Sequence, residues 1–380
     1  MNTYDAIVLG AGGVGSAAMY ELARRGVRVL GIDRFNPPHD RGSTHGQSRA
    51  IRQAYFEHPA YVPLLLESYR LWRELELQSG QSLLHEVGVL EVGPTDRIVV
   101  PGVLLAATEY NLLIEQLVAT EIERRWPGMR VPESLVGVLD PRGGYLFVED
   151  CVRAHLQVAE AAGAMLLVDT EVYDWNASEH EVRVRTSAGE FAAARLVISA
   201  GAWASDLLKD LQIGLTVRRK SLFWFETNSA KYDVTSGFPV FLFELPAGTF
   251  YGFPKLDPRG VKVAEHSGGT TIANPLIVDR AIDLTEERNL RDFLAACLPE
   301  VSSRVTDHAV CLYTMSPDEN FIVDRHPLHA NVVFAAGLSG HGFKFAPVLG
   351  RALAELALDG KTRLPIDFLS LGRFGLQASI

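Results

Sequence analysis

The run Gly10-Ala-Gly-Gly-Val-Gly15 constrains this chain more than any other stretch. A short apolar segment, Ala6-Ile-Val-Leu9, precedes it, and a helical pattern with Val14, Ala17, Ala18 and Leu22 on one face follows. Gly26 then offers the left-handed residue that commonly ends a helix, residues 27–32 read as a second buried strand, and Asp33 stands at its end. Strand, tight turn, helix and strand make a βαβ unit, with an acid about 20 residues beyond the glycines, as the dinucleotide fingerprint requires. Each part has a mechanical role. The glycines let the backbone approach a pyrophosphate, the helix N-terminus offers free N–H groups, and Asp33 accepts from a ribose hydroxyl. That ribose is common to NAD and FAD, so the motif alone leaves the choice of dinucleotide open.

At 380 residues the chain exceeds the usual size of one core, which predicts two domains. Hydrophobic residues at 47% and charged residues at 22% are those of a globular protein. The formal charge of −10, with no basic tract, argues against nucleic acid and anionic membranes as partners. No apolar run reaches the roughly 18 residues that would cross a bilayer, and the first strand starts too early for a signal peptide. A cytoplasmic location is expected. Cys151, Cys297 and Cys311 are odd in number and widely spaced, without a CxxC or Cys/His pattern, which argues against a disulfide framework and a metal site.

Further along, the loop of residues 35–43 carries Pro37 and Pro38, which forbid regular structure. It leads into Thr44-His-Gly-Gln-Ser-Arg49-Ala-Ile-Arg52, where two arginines three apart are nearly one helical turn apart and would point the same way. Small polar neighbours, Gly42, Ser43, His45 and Gly46, suit a segment threaded past a ligand. A helix over residues 61–77, with Leu64, Leu65, Ser68, Trp72 and Leu75 at helical spacing, reads as core packing. Residues 87–92 shift toward a period of two, and Pro94, Pro101, Pro127 and Pro132 punctuate a crossing into another domain. Gly143-Gly144 marks the return, followed by a helix at 152–161 and strands at 165–168 and 196–199. The Ala200-Gly201-Ala202-Trp203 stretch after the last of these is either a second main-chain crossing of the dinucleotide or simple close packing.

Residues 217–304 read as antiparallel strands rich in aromatics, including Leu222-Phe-Trp-Phe225 and a Phe250-Tyr251-Gly-Phe253-Pro254 turn, and end in a helix at 286–297. Such a sheet face is either a wall for a small organic substrate or a core. Near the C-terminus a strand at 332–336 runs into Gly337-Leu-Ser-Gly340-His-Gly342-Phe-Lys344-Phe and a helix closed by Gly360. This repeats the opening geometry with a lysine placed in the turn, so the end of the chain returns to the first sheet.

With these pieces in order, the sequence resembles the monomeric sarcosine oxidase and N-methyltryptophan oxidase family of FAD-dependent amine oxidases, nearly end to end. The resemblance is carried by Pro37-Pro38-His39 leading to Gly42-Ser43-x-His45-Gly46-x-x-Arg49-x-Ile51-Arg52, by Tyr251-Gly252-Phe253-Pro254, by Cys311-x-Tyr313-Thr314, and by Gly340-His341-Gly342-Phe343-Lys344-Phe345. It implies an α/β Rossmann-like FAD-binding domain of the GR2 type (residues 1–80, 145–217 and 307–380) and an antiparallel-sheet α+β substrate domain (81–144 and 218–306).

The resemblance also implies roles for single residues. FAD would be held by Gly10, Gly12, Gly13, Val14, Gly15, Asp33, Arg34, Ser43, Arg49, Val172, Gly201, Gly340, Gly342, Phe343 and Lys344, and joined covalently through a thioether at Cys311. Arg52 and Lys344 align with the cations that bind the substrate carboxylate, the first able to do so bidentately, the second as a point charge. Lys262 aligns with the lysine where oxygen is activated, since a fixed positive group stabilises charge developing on oxygen. Arg49 aligns with an arginine packed on the flavin, His266 and Tyr251 with groups shaping the amine's surroundings, and Leu242, Phe253 and Tyr313 with the pocket wall.

Departures from the family pattern are Thr44 and Ser48, where histidine and threonine are usual, and Phe56, where glycine is common. The expected activity is oxidation of a secondary amino acid by O2 in a monomer, without a metal. N-methyl, cyclic and glycated amines all remain candidates, as does a flavin dehydrogenase using another electron acceptor.

Overall fold

A computed structural model describes residues 3–375. The first sheet is built around the strand Thr3–Leu9, which pairs in parallel with Val29–Ile32 on one side and Gly189–Ile198 on the other. Met165–Leu167 extends the parallel layer beyond Val29–Ile32, and Val332–Ala336 extends it beyond the C-terminal half of Gly189–Ile198. Ile322–Arg325 adds an antiparallel edge, and the meander Val172–Ala177, Val182–Thr186 completes the sheet. The C-terminal strand–turn–helix thus docks beside the N-terminal one.

The helix Gly13–Ala23 is buried along its whole length, which its Ala- and Gly-rich sequence permits. It crosses the helix Ala346–Asp359 at close range: a Cβ on Gly350 would meet the Ala17 Cβ at 2.6 Å. At the opening turn a Cβ on Gly15 would lie 1.7 Å from the Gly10 carbonyl oxygen, so the third glycine of the motif lets helix and strand pack and does not face a ligand.

The second sheet has nine strands. Thr216–Phe225, Val261–Glu265, Gly248–Phe253 and Val240–Leu245 follow one another antiparallel, and Val305–Met315 runs along the other side of Thr216–Phe225. Val240–Leu245 pairs with Val89–Gly93 in parallel, which joins the two distant segments of the second domain. A small third sheet, Ser48–Ile51, Gly144–Phe147 and Leu84–Glu86, lies at the crossing between domains.

Several expectations change. Arg49 sits in the strand Ser48–Ile51, not on a helical turn, so its side chain and that of Arg52, just past the strand end, are positioned by different backbone conformations. The Phe250–Pro254 turn is instead the end of a strand, Gly248–Phe253. A boundary at 306/307 cuts the strand Val305–Met315, which belongs by hydrogen bonding to the second sheet. The aromatic face is core: Phe223, Phe225, Phe241, Phe243 and Phe250 share one buried cluster with Phe293 of the helix Leu284–Cys297.

Candidate active site

A cavity of about 210 Å³ follows the C-terminal ends of the first sheet's parallel strands. Every residue expected to hold the cofactor lines it except Gly15 and Lys344. Asp33 organises the opening turn: its Oδ2 accepts from Ala11 N (2.7 Å) and its Oδ1 from Phe35 N (2.9 Å). Thr44 Oγ1 accepts from Gly13 N at 3.4 Å, which gives this departure from the family pattern a structural task at the turn. Trp203 Nε1 and Thr314 Oγ1, on residues lining the cavity, are buried without partners. An FAD molecule fits this lining: glycine backbone for the pyrophosphate, and polar groups that a bound ligand could satisfy.

Cys311 is buried in the wall of the same cavity. Arg49 Nη2 donates to its sulfur (3.2 Å) and to the Ser43 carbonyl (3.0 Å). Burial of the other two cysteines pushes both thiols up, Cys297 to about 12.

A second cavity, of about 70 Å³, shares Arg49, Tyr313, Gly340 and Phe343 with the first. Arg52, Lys344, Leu242, Tyr251 and His266 also line it, as expected from the sequence. Phe253 does not. It is wholly buried, with its ring 4.5 Å from Lys262 Nζ, because its position in the strand lies beyond the cavity. Lys262 lines neither cavity; its ammonium donates to the carbonyls of Gly46 and Ser48 (2.7 Å each) and to Ser48 Oγ (3.1 Å). Burial, then repulsion from Arg49, pushes it well below an ordinary lysine.

Lys344 Nζ donates to His341 O (2.8 Å) and Tyr55 Oη (3.3 Å). Its carbonyl accepts from Ser68 Oγ (2.7 Å) and Trp72 Nε1 (3.0 Å), so the helix Val62–Ser79 does more than fill the core: it fixes the lysine's backbone. Burial and the neighbouring Arg52 lower Lys344 to about 7. Tyr55 Oη lies 2.6 Å from His341 Nδ1, and His341 Nε2 lies 3.1 Å from Glu319 O. A carbonyl only accepts, so Nε2 carries a hydrogen. Burial pushes the ring down to about 4, so it is neutral and Nδ1 accepts from Tyr55. Burial likewise pushes His266 down to about 3, leaving a neutral ring beside Tyr251 and Tyr313.

Arg52 lies between two acids. Its Nη2 donates to both oxygens of Glu57 (2.9 and 2.7 Å), and its Nε is 3.0 Å from Glu91 Oε1 without hydrogen-bond alignment. The acids respond oppositely. Burial would raise Glu57, but Arg52 overrides it and holds the carboxyl at about 2, whereas burial dominates at Glu91 and raises it to about 8. The rings of Tyr55 and Phe56 each lie 4.6 Å from the guanidinium, so the unusual Phe56 serves as one of its two aromatic contacts. Sequence reasoning missed Glu91, although an acid in the apolar run Val89-Leu-Glu-Val92 was a visible signal.

The FAD dependent oxidoreductase family matches residues 5–356, and the chain belongs to it. Within that class, relatives that match it nearly end to end include amine oxidases. The chain is 42% identical to the monomeric sarcosine oxidase of Bacillus sp. (strain B-0618), covering 99% of this chain and 98% of that one. It is 36% identical to the N-methyl-L-tryptophan oxidase of Salmonella enteritidis PT4 (strain P125109), covering 98% and 99%. Among solved structures it resembles NikD, an unusual amino acid oxidase essential for nikkomycin biosynthesis, with a TM-score of 0.87 at 27% identity over 100% of this chain and 99% of that one. The L-proline dehydrogenase of P. horikoshii shares the fold, with a TM-score of 0.85 at 23% identity over 98% of each chain. The protein is an FAD-dependent amine oxidase. No helix among the described residues is long and apolar enough to cross a membrane.

Proposed function

We propose that the protein, acting as a monomer, oxidatively demethylates an N-methyl amino acid. The observation that carries this reading is the small cavity bearing Arg52, Lys344 and neutral His266, which shares walls with the cofactor cavity where Cys311 lies. When bound, FAD supplies the two-electron acceptor that converts the N–CH3 group to an imine, which water hydrolyses to formaldehyde and the primary amino acid, and it passes the electrons to O2 as hydrogen peroxide.

The chain's own residues bind and orient. Lys344 and Arg52 pin the substrate carboxylate, and a carboxylate beside Lys344 restores the charge that burial weakens. The positive groups Arg49, Arg52 and Lys344 repel a protonated amine, so the neutral amine with its free lone pair is favoured. His266, Tyr251 and Tyr313 supply neutral, shaped walls around it. Cys311 is the point of covalent attachment, its sulfur positioned by Arg49. Lys262, anchored by Gly46 and Ser48, is the cation assigned to oxygen.

A peroxide assay over N-methyl, cyclic and glycated amino acids tests the reading. Peroxide with formaldehyde from an N-methyl amino acid is expected, and activity only on cyclic or glycated amines, or only with a dye acceptor, would refute it. Replacing Lys262 with Met is expected to slow reoxidation by oxygen far more than reduction by substrate.

A further inference from the structure

Glu91 has no part in the reaction described above, yet it is placed like a ligand-binding group. It stands in the strand Val89–Gly93, between Val138 and Leu242 in one row across the second sheet. Its neighbours Leu90 and Val92 enter the aromatic core, so its side chain points the other way, onto the wall of the smaller cavity. It is 0% exposed, and neither carboxylate oxygen receives a hydrogen bond.

Arg52 gives its aligned hydrogen bonds to Glu57, and its Nε, 3.0 Å from Glu91 Oε1, is misaligned and itself buried without a hydrogen-bond partner. Asp140, from the neighbouring strand, accepts from the backbone N–H groups of Gln53, Ala54, Arg142 and Gly143. Lys344 donates to His341 and Tyr55. Glu91 is left as a buried acceptor without an aligned donor, and burial raises it to about 8. A buried carboxyl group in that state is costly until something donates to it.

We propose that Glu91 determines substrate specificity by accepting a hydrogen bond from a neutral donor, a hydroxyl or amide N–H, on the side chain of the amino acid substrate. This rests on reading the smaller cavity as the amine site. The donor must lie within a few bonds of the α-carbon, because Glu91 Oε1 is 3.0 Å from Arg52, one of the two carboxylate-binding cations. A neutral donor suits the site, because Glu91, raised to about 8, is largely uncharged near neutral pH and Arg49, Arg52 and Lys344 already repel a cation.

The holoenzyme tests this with N-methylserine, N-methylalanine and N-methyl-diaminopropionate, compared by kcat/KM. N-methylserine should exceed N-methylalanine by about 10-fold or more, since a site built for a donor discriminates against the analogue lacking it, and the cationic compound should fall below N-methylserine. In Glu91→Leu the serine-to-alanine ratio should collapse to about one, while Glu91→Gln, which keeps a carbonyl acceptor, should hold it within about 3-fold.

A wild-type ratio of one or less, a ratio unchanged in Glu91→Leu, or a preference for the cationic compound would overturn the proposal. Binding of hydroxypropionate against butyrate, read from the flavin absorbance, gives a second measure that needs no turnover. The hydroxy acid should bind more tightly to the wild type and lose that advantage in Glu91→Leu. If that preference holds while no amine yields peroxide, the oxidase reading fails and the Glu91 assignment stands; peroxide formation without the preference has the opposite meaning.

Discussion

The two faces of the nine-stranded sheet are made from the same strands and do different work. On one face Leu90, Val92, Phe223, Phe225, Phe241, Phe243 and Phe250 share one core with the helix Leu284–Cys297, with Phe250 and Phe293 stacked at 4.9 Å between ring centroids. One residue along each strand, Glu91, Leu242 and Tyr251 face the small cavity in a single cross-strand row. Strand alternation separates the core set from the cavity set here, because a one-residue slip of register would exchange the two. The aromatic face is a buried apolar cluster. The cavity face is sparsely filled and carries acids and bases whose ionisation burial has shifted.

Substitutions should respect that division. The largest effect is all-or-none: with Cys311→Ser, the flavin colour should move wholly into the supernatant on acid precipitation, whereas the wild type keeps it in the pellet. Colour released equally from both proteins would remove the covalent assignment. Next, Phe243→Ala on the core face should cost about 3–5 kcal/mol of stability in urea unfolding, with substrate preference unchanged. A changed preference without lost stability would break the separation of the faces.

A smaller effect is expected at the cavity. Lys344→Met should raise KM by about 10–100-fold, in line with the roughly 1.5–3 kcal/mol of a hydrogen bond to a charged group, with little change in Tm. The same lysine carries a pH signature. With its pKa at about 7 it is charged below that pH and neutral above, so affinity for a non-titrating carboxylate ligand should fall as pH rises through that value. Glu91 ionises near 8 and draws on Arg52, which deepens the fall. Titration of ligand binding checks this; an unchanged pH dependence in Lys344→Met would locate the effect elsewhere.

The nucleotide-binding half was legible because its signals are local. Gly10 to Gly15 and the acid at Asp33 specify a turn and a strand end within a few residues, and Gly337 to Lys344 does the same at the far end. The smaller cavity was legible mainly through resemblance, which named Arg52, Lys344, Tyr251 and His266 but not their electrostatic setting. Phe253 looked like a wall residue because it adjoins Tyr251 in a shared motif, yet its place in the strand takes it under Lys262. Arg49 and Arg52 looked like one helical face until the pairing of Ser48–Ile51 with Gly144–Phe147 made that segment a strand.

By itself the sequence determined the βαβ units, the cofactor class and the family, since these rest on backbone preferences and short motifs. Only the tertiary structure decided which acid neutralises Arg52, which aromatics are core, and that Glu91 lies buried without an aligned donor. Those outcomes depend on register between strands far apart in the chain, such as Val89–Gly93 beside Val240–Leu245, and on the desolvation that this packing imposes.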